Sequence, residues 1–469
     1  MSATLEELQD RYGARYKWLV LMTVMIGTTA SIMSSTIVNV AIPDLIRDFA
    51  IGHERAQWVA TSFMLAMTLS MLLTPWLLQR FGLRRTYAGT ILLLLLGAVA
   101  GAMSPNYPML LAMRVVEGLA SGILQPIPAV IIMRDFDKRE QGKAMGIFGF
   151  GVVLAPAIGP SVGGILVEHF GWRSIFLVVV PFCLIVLDLT RRYLAQSSPL
   201  KAPPRPLDWR GLLLVGVATV SLLNGLVALH ASALQGGALV LFGIACLVAF
   251  VAYQRRAVDP LVSMQLFGYR QFAAGALVAF IYGMSLFGST YLLPLYMQEA
   301  RHYAPSQAGL ILLPAGIVLA LVIPLGGKLA DHLPANLLVS CGLALLALSF
   351  VLLAMGAPTT GYLAIIAWVV IGRIGLGLVV PALSLGALRG VDPLMMAQGS
   401  SAMNFVRQLG GAIGVSVVGI FLQWRLAVHQ GSDGAQIRAF DEAFLMIAAT
   451  CALAVVAAWA MKPRKIAEG

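Results

Sequence analysis

The chain is 469 residues long, 59% of them hydrophobic and only 11% charged. A soluble chain of that length has nowhere to hide so much apolar surface, which excludes an ordinary water-soluble domain. The formal charge of +11 would suit a nucleic-acid partner, but the basic residues are scattered over many short segments instead of gathered on one face, so nucleic acid is excluded as well.

The first residues are polar and mixed in charge, and the apolar run behind them is too long for the core of a leader, so no cleavable signal peptide is expected. Runs of about 20 apolar residues, the length that crosses a hydrocarbon core, then recur. They fall at approximately 17–42, 56–78, 86–103, 108–133, 142–167, 174–190, 210–229, 236–254, 271–297, 306–327, 336–354, 361–387, 398–423 and 442–461. The expected class is an all-α polytopic membrane protein of fourteen spans.

Orientation follows from the 32 Lys and Arg, because cytoplasmic loops hold positive charge. With the N-terminus inside, the inner segments collect Arg11, Arg15, Lys17, Arg80, Arg84, Arg85, Arg134, Lys138, Arg139 and Lys143. They go on to collect Arg191, Arg192, Lys201, Arg205, Arg210, Arg255, Arg256, Arg270, Lys328, Arg389, Lys462, Arg464 and Lys465. The outer segments hold only Arg47, Arg55, Arg173, Arg301, Arg425 and Arg438, and Arg114, Arg373 and Arg407 are left inside the membrane. Both termini are therefore expected in the cytoplasm.

The Pro-rich basic stretch RRYLAQSSPLKAPPRPLDWR marks a break. It divides the chain into a six-helix bundle over 1–190, a cytoplasmic linker over 191–209, two extra spans over 210–254 and a second six-helix bundle over 255–469. Helix 4 carries GILQP (122–126) and helix 12 carries GLVVP (377–381) at the same spacing, as expected of a transporter built from repeated bundles. The four cysteines, Cys183, Cys246, Cys341 and Cys451, lie within spans, and the histidines lie in loops or at span ends. Neither set has metal-ligand spacing, and no loop of the Walker type is present. No metal, cofactor, ATP hydrolysis or other enzyme chemistry is expected.

RVVEGLASGILQP (114–126) puts Arg114 and Glu117 on one face of a helix, three residues apart. A charge at mid-bilayer costs on the order of 3 kcal/mol or more, so both should meet a partner or a wet cavity. A mutual ion pair that only cancels its own cost is the alternative. Asn39, Gln125, Asn404 and Gln408 are amides within spans, expected either to face a cavity or to bind neighbouring helices. Phe287, Tyr291, Tyr296 and Met297 form an aromatic and Met cluster suited to an adaptable pocket, or to plain packing. In GVVLAPAIGPSVGG (151–164), Gly151, Gly159, Gly163 and Gly164 allow close helix approach while Pro156 and Pro160 kink the helix, a seam on which two bundles can rock.

Five segments in order, STIVNVAIP (35–43), RVVEGLASG (114–122), GVVLAPAIGPSVGG (151–164), WRSIFLVVVPF (172–182) and NFVRQLGGAIG (404–414), resemble the major facilitator superfamily and, within it, the fourteen-helix drug:proton antiporters of the EmrB/QacA subfamily. The resemblance implies the facilitator fold, two six-helix bundles plus two additional helices, and proton-coupled multidrug efflux of amphipathic small molecules by alternating access. Three departures from the family pattern concern its carboxylates. The chain has Ser34 where an Asp usually precedes the helix 1 signature, Glu117 where the helix 4 motif usually has Gln, and Gln79 where the loop after helix 2 usually has Asp, while the second-half copy of that loop keeps Asp331.

With Pro43 and Pro108 as the outer ends of helices 1 and 4, Ser34 and Glu117 lie at one depth, about 14 Å, so the carboxylate has moved across the cavity. Glu117, Arg114 and Ser34 are thus the expected proton-coupling group. Asn39, Gln125, Tyr291, Met297, Arg373, Asn404 and Arg407 are the expected substrate contacts, with Arg373 and Arg407 either contacting substrate or tied to carbonyls. The excess of buried Arg over carboxylate favours tolerance of anionic amphiphiles. Expected partners are amphipathic substrates, protons and membrane lipids, with a periplasmic adaptor protein left open, and the expected location is a bacterial-type inner (plasma) membrane. A lipid or lysolipid flippase and a non-transporting membrane sensor or assembly platform are the alternative functions.

Overall fold

A computed structural model describes residues 5–195, 206–229, 232–357, 360–430 and 434–462, and every regular element among them is helical. Lys201, Arg205, Arg464 and Lys465, counted above for orientation, lie outside the described residues, as does most of the linker.

Among the described residues thirteen helical stretches are long and apolar enough to cross a membrane, and one of them, Arg55–Ala102, runs to 48 residues. At about 1.5 Å of rise per residue that is about 70 Å, twice a bilayer core. The stretch is two crossings folded at Gly82, whose φ of 75° and ψ of 168° break the helix. Glycine enters that region without steric penalty, so the expected inner loop at 79–85 shrinks to one residue.

Counted this way there are fourteen crossings. They are α1 (Tyr16–Phe49), α2 (53–81), α3 (83–102), α4 (Tyr107–Asp135), α5 (Gln141–Phe170), α6 (Ser174–Tyr193), α7 (Trp209–Ala228), α8 (Ala233–Gln254), α9 (Arg270–Ala300), α10 (Pro305–His332), α11 (Ala335–Ala354), α12 (Tyr362–Leu388), α13 (Met396–Val428) and α14 (Ala435–Trp459). Helix ends differ from the sequence expectation chiefly at α1, which continues through Pro43 to Phe49 and stops where Ala50 turns left-handed (φ 49°, ψ 43°). The depth match of Ser34 and Glu117 therefore rests on Arg114, whose Nη1 bonds both of them, and not on Pro43 as a boundary. In α4 the helix breaks between Leu124 and Ile127, where Pro126 has no N–H for the ladder.

Within the first six helices α1 packs on α5 and α6, α2 on α4, and α3 on α4 and α6; within the last six α9 packs on α13, α10 on α12, and α11 on α12 and α14. α7 and α8 pair with each other. Asp208 fixes the start of this hairpin, accepting from the Gly211 N–H (2.8 Å), the Tyr253 hydroxyl (3.0 Å) and the Gln254 amide (2.7 Å). Gln254 in turn accepts from the Val262 N–H (3.3 Å), fastening the pair to the segment that leads into α9. The outer faces of α7 and α8 expose Leu213, Val227, Leu241, Phe242 and Val248, as helices facing lipid do.

The two six-helix groups meet mainly through α5 against α10, and through α13 against α2 and α4. These junctions crowd toward the end of the molecule that carries the basic segments, called here the basic end.

Candidate functional site

α4 starts where the Asn106 side chain accepts from the Met109 N–H (3.0 Å), with Pro108 in the first turn. One face of it carries no side chains at Gly118 and Gly122, where any Cβ would collide with the Phe63 and Met67 carbonyls of α2. The close approach this permits brings Arg114 into the α2 backbone. Its Nε donates to the Val59 carbonyl (3.1 Å), and its guanidinium stacks 4.2 Å from the Phe63 ring centre. Nη1 donates to the Ser34 carbonyl and hydroxyl on α1 (3.3 Å each) and to Glu117 Oε2 (2.6 Å).

The pair is sealed, with side chains 1% and 0% exposed. Gly97 on α3 makes room for the acid, since a Cβ there would sit 2.9 Å from Glu117 Cγ.

The sealing is incomplete in its hydrogen bonding. Arg114 Nη2 and Glu117 Oε1 have no protein partner, and neither do the hydroxyls of Ser31, Ser62 and Ser121. Each of these serines lies about one turn from a member of the pair's constellation, Ser34, Val59 or Glu117, and each on the side of the basic end. Polar atoms buried in a membrane interior and lacking protein partners call for water or for one another. Sequence reasoning missed these serines, although their spacing from Ser34 and Glu117 along α1 and α4 was available as a signal.

The second group of helices is arranged differently. α9 and α13 touch backbone to backbone where Gly283 faces the Arg407 carbonyl, and α12 meets α11 where Gly372 leaves room for the Ser349 hydroxyl. Arg407 donates to Asn404 Oδ1 (2.8 Å), one turn away on its own helix. Arg373 lines a hollow with Ser289, Leu293, Leu346, Ser349 and Phe350. Tyr282 is buried on α9 one residue before Gly283, which faces the Arg407 carbonyl. Among the described residues neither Arg373 nor Arg407 forms an ion pair.

At the basic end Asp331 of α10 accepts from the N–H groups of Gly142 (2.6 Å) and Lys143 (2.9 Å), the first turn of α5. An acid at a helix N-terminus meets free N–H groups and the positive end of the helix dipole. Around this cap Gly142 abuts Gly327, a Cβ at Gly146 would lie 2.8 Å from Pro324 Cα, and one at Gly149 would lie 2.6 Å from Ile323 Cγ2. The Arg389 guanidinium reaches across to the Lys138 carbonyl (3.4 Å), and the Ser400 hydroxyl donates to the Pro126 carbonyl (2.9 Å).

This corrects the expected seam. Gly151, Gly159 and Gly163 press on Met25, Thr36 and Ile37 of α1, inside their own group of helices, while Gly164 has only Val40 near it. The glycines that contact the other group are Gly142, Gly146 and Gly149, and GKAMG at 142–146 held that signal as a small-xxx-small pair. Pro156 is exposed, and the side chain of Pro160 lies outside the described residues. Gln79 shares a hollow with Trp76, Asp208, Asp259 and Gln398 near the start of α13.

Of the other residues singled out, Asn39 is exposed on α1, Gln125 is half-buried at the α4 break, and Gln408 is buried on α13. The expected pocket on α9 is split. Tyr291 is 40% exposed, whereas Met297 and Tyr296 turn inward on a π-helical turn, Tyr296 meeting Phe440 and Phe444 edge-on. Met297 therefore packs the core in this structure. Among the described residues no group of His, Cys, Asp and Glu could hold a metal ion.

Residues 24–415 match the family model described as Major Facilitator Superfamily. A Mycobacterium tuberculosis protein named multidrug resistance protein B homolog is 31% identical over 89% of this chain and 79% of its own length. A Clostridioides difficile riboflavin transporter is 28% identical over 94% of this chain and 97% of its own. Among solved structures, the human organic anion transporter superposes with a TM-score of 0.69 over 94% of this chain and 99% of that one, at 16% identity, a likeness of fold alone.

Proposed function

Because the chain belongs to the major facilitator superfamily, a family of multi-pass membrane transporters, we propose that it is a fourteen-helix exporter of amphipathic small molecules, driven by inward movement of protons through Glu117. Its placement is a bacterial plasma membrane with the basic end, and so both termini, in the cytoplasm. Two six-helix bundles, with α7 and α8 as an insert between them, then rock about the α5–α10 and α13 junctions. The arrangement described here is closed toward the cytoplasm, with Asp331 as one latch.

The observation that carries the coupling role is a carboxylate wholly removed from solvent, held by one guanidinium and with one oxygen free. Burial favours the neutral acid and a neighbouring cation favours the anion. A carboxylate exposed to each influence in turn, as the bundles separate and close, binds a proton on one side and drops it on the other. Ser31, Ser62 and Ser121 line the way from Glu117 toward the basic end and suit an exit path. A proton gains about 2.3 kcal/mol per 100 mV of membrane potential, enough for a substrate gradient of tens-fold. The relative named for multidrug resistance supports drug export, and the riboflavin transporter adds a flat polar heteroaromatic to the substrate types worth testing.

In proteoliposomes with an imposed pH gradient, the wild type should accumulate exported substrates, and Glu117→Gln should bind them yet fall to the passive leak. Ser34→Asp combined with Glu117→Gln, which returns the acid to α1, should recover part of the flux. Full proton-driven transport by the single Glu117→Gln variant would overturn the assignment and turn attention to Asp188, Glu299 and Asp331.

A further inference from the structure

We propose that the middle of the second bundle is an anion subsite, in which Arg373 of α12, lining a hollow there, and Arg407 of α13 take the carboxylate or phenolate of an amphipathic organic anion; the physiological sense of this rests on the export reading above.

The argument begins with what the two arginines lack. A guanidinium carries five N–H donors and cannot shed its charge. Arg114 shows how this protein engages one that is structural or proton-coupled, with only Nη2 left over: two backbone carbonyls, a hydroxyl, an aromatic face and a carboxylate. Arg407 has a single side-chain bond, to Asn404, and no hydrogen bond is recorded for Arg373 among the described residues. Both are less deeply buried than Arg114, and none of their nitrogens is among the sealed polar atoms that lack a partner.

The second strand of argument is charge balance. Two cations held in the middle of one bundle repel each other, and this repulsion grows as water is excluded. Among the described residues no Asp or Glu is paired with either one. By the register that aligns GILQP with GLVVP, the position matching Glu117 is Gly372, beside Arg373, so the acid of the first bundle has no counterpart in the second. The missing negative charge is one that a ligand supplies.

The third is the surrounding wall. The hollow at Arg373 is bounded by Leu293, Leu346, Phe350, Val369 and Leu376, with Ser289 and Ser349 as polar points. Both hydroxyls already donate, to the Leu286 and Trp368 carbonyls. Cationic donors set in an apolar wall fit an anionic group on an aromatic or aliphatic body, and fit poorly a small, strongly hydrated inorganic anion.

The test compares two ligands of one shape, 1-naphthoate and the uncharged 1-naphthamide, by equilibrium binding to the purified full chain in detergent at neutral pH. The wild type should bind the naphthoate at least about 10-fold more tightly, the usual scale of a hydrogen bond to a charged group. Arg373→Gln and Arg407→Gln should each abolish that preference, and Arg407→Lys should keep part of it. Equal affinity of the wild type for the two ligands overturns the proposal, and that measurement needs no variant to fold. A second arm follows proton-driven export of tetraphenylphosphonium. Export of this cation together with equal naphthoate and naphthamide binding rejects the anion subsite and leaves the export reading standing; anion preference without any proton-driven transport does the reverse.

Discussion

The two six-helix groups share a spacing of glycine and proline in their fourth helices and differ in what they do with charge. α4 buries its guanidinium beside a carboxylate, to an exposure of 1% and 0%. α12 and α13 carry two guanidiniums that are paired with no acid among the described residues and stay half-buried. The inner ends differ in the opposite sense, because the second group supplies Asp331 to cap α5 while the first has Gln79 in the corresponding place. On the proposed reading a repeated scaffold is divided by function: one half holds a charge pair to be broken and remade by motion, and the other holds charge that a solute would answer.

The largest expected effect breaks this contrast at the pair itself. Arg114→Ala leaves a carboxylate buried without its cation, and removing one partner of a buried pair typically destabilises by about 3–5 kcal/mol. Arg407→Met removes a cation that has no acid to abandon, so it should leave stability unchanged or raise it. Thermal unfolding in detergent reads both. A comparable fall in Tm for the two variants would erase the distinction between the halves.

That distinction was only partly legible in the sequence. Recurring apolar runs of about 20 residues follow directly from what a bilayer demands of a chain, so the fold class could be read from them, while the fold at Gly82 that joins two runs into one helical stretch could not. Arg114 and Glu117 were visible as a pair because i and i+3 on a helix meet. The partners that come from other helices, Val59, Phe63 and the Ser34 carbonyl, were not visible, because they are contributed by backbone and by packing at sequence separations of 50 residues or more. The glycine-rich motif on α5 misled for a related reason. A glycine shows that something approaches closely but not what, and here Gly151, Gly159 and Gly163 receive α1, while the contact between groups passes through Gly142 and Gly146. Met297 was read as pocket because Met and aromatics suit both pockets and cores, and the π-turn that rotates it inward has no clear signal in YMQEA.

A middle-sized effect tests the inner ends. Asp331→Asn keeps the shape and removes the charge that faces the first turn of α5, a contact worth about 1–2 kcal/mol by the usual scale of charged hydrogen bonds and helix dipoles. The population open at the basic end should rise about 10-fold, read as labelling of a single cysteine introduced beside the α5–α10 junction. Gln79→Asp sets a third carboxylate in the hollow that already holds Asp208 and Asp259, so like-charge repulsion should loosen that end as well and raise labelling there. If both variants label as the wild type does, the asymmetry of the inner ends has no bearing on the conformational balance.

The smallest effect concerns how each group makes room at the matching depth. In the first, the small residue is Gly97 on α3, and the side chain that fills the gap is Glu117 on α4. In the second the roles are exchanged: the gap is left by Gly372 on α12 and filled by Ser349 on α11. Large against small is kept across the third and fourth helices of each group, but only the first arrangement admits an acid. Gly97→Ala puts a methyl 2.9 Å from Glu117 Cγ and 3.3 Å from Val116 Cγ1, so the acid must shift by a few tenths of an ångström. Gly372→Ala puts one 2.6 Å from the Ser349 hydroxyl. Overpacking of this kind costs about 1–3 kcal/mol at either site, and Tm should fall in both variants by similar amounts. Proton coupling should separate them. The shifted Glu117 sits off its short contact with Arg114, so Gly97→Ala should move the pH at which transport is half-maximal, whereas Gly372→Ala should leave that pH where it is. Identical pH profiles in the two variants would mean that the geometry around Glu117 does not set its protonation, and the role of the pair would reduce to holding α1, α2 and α4 together.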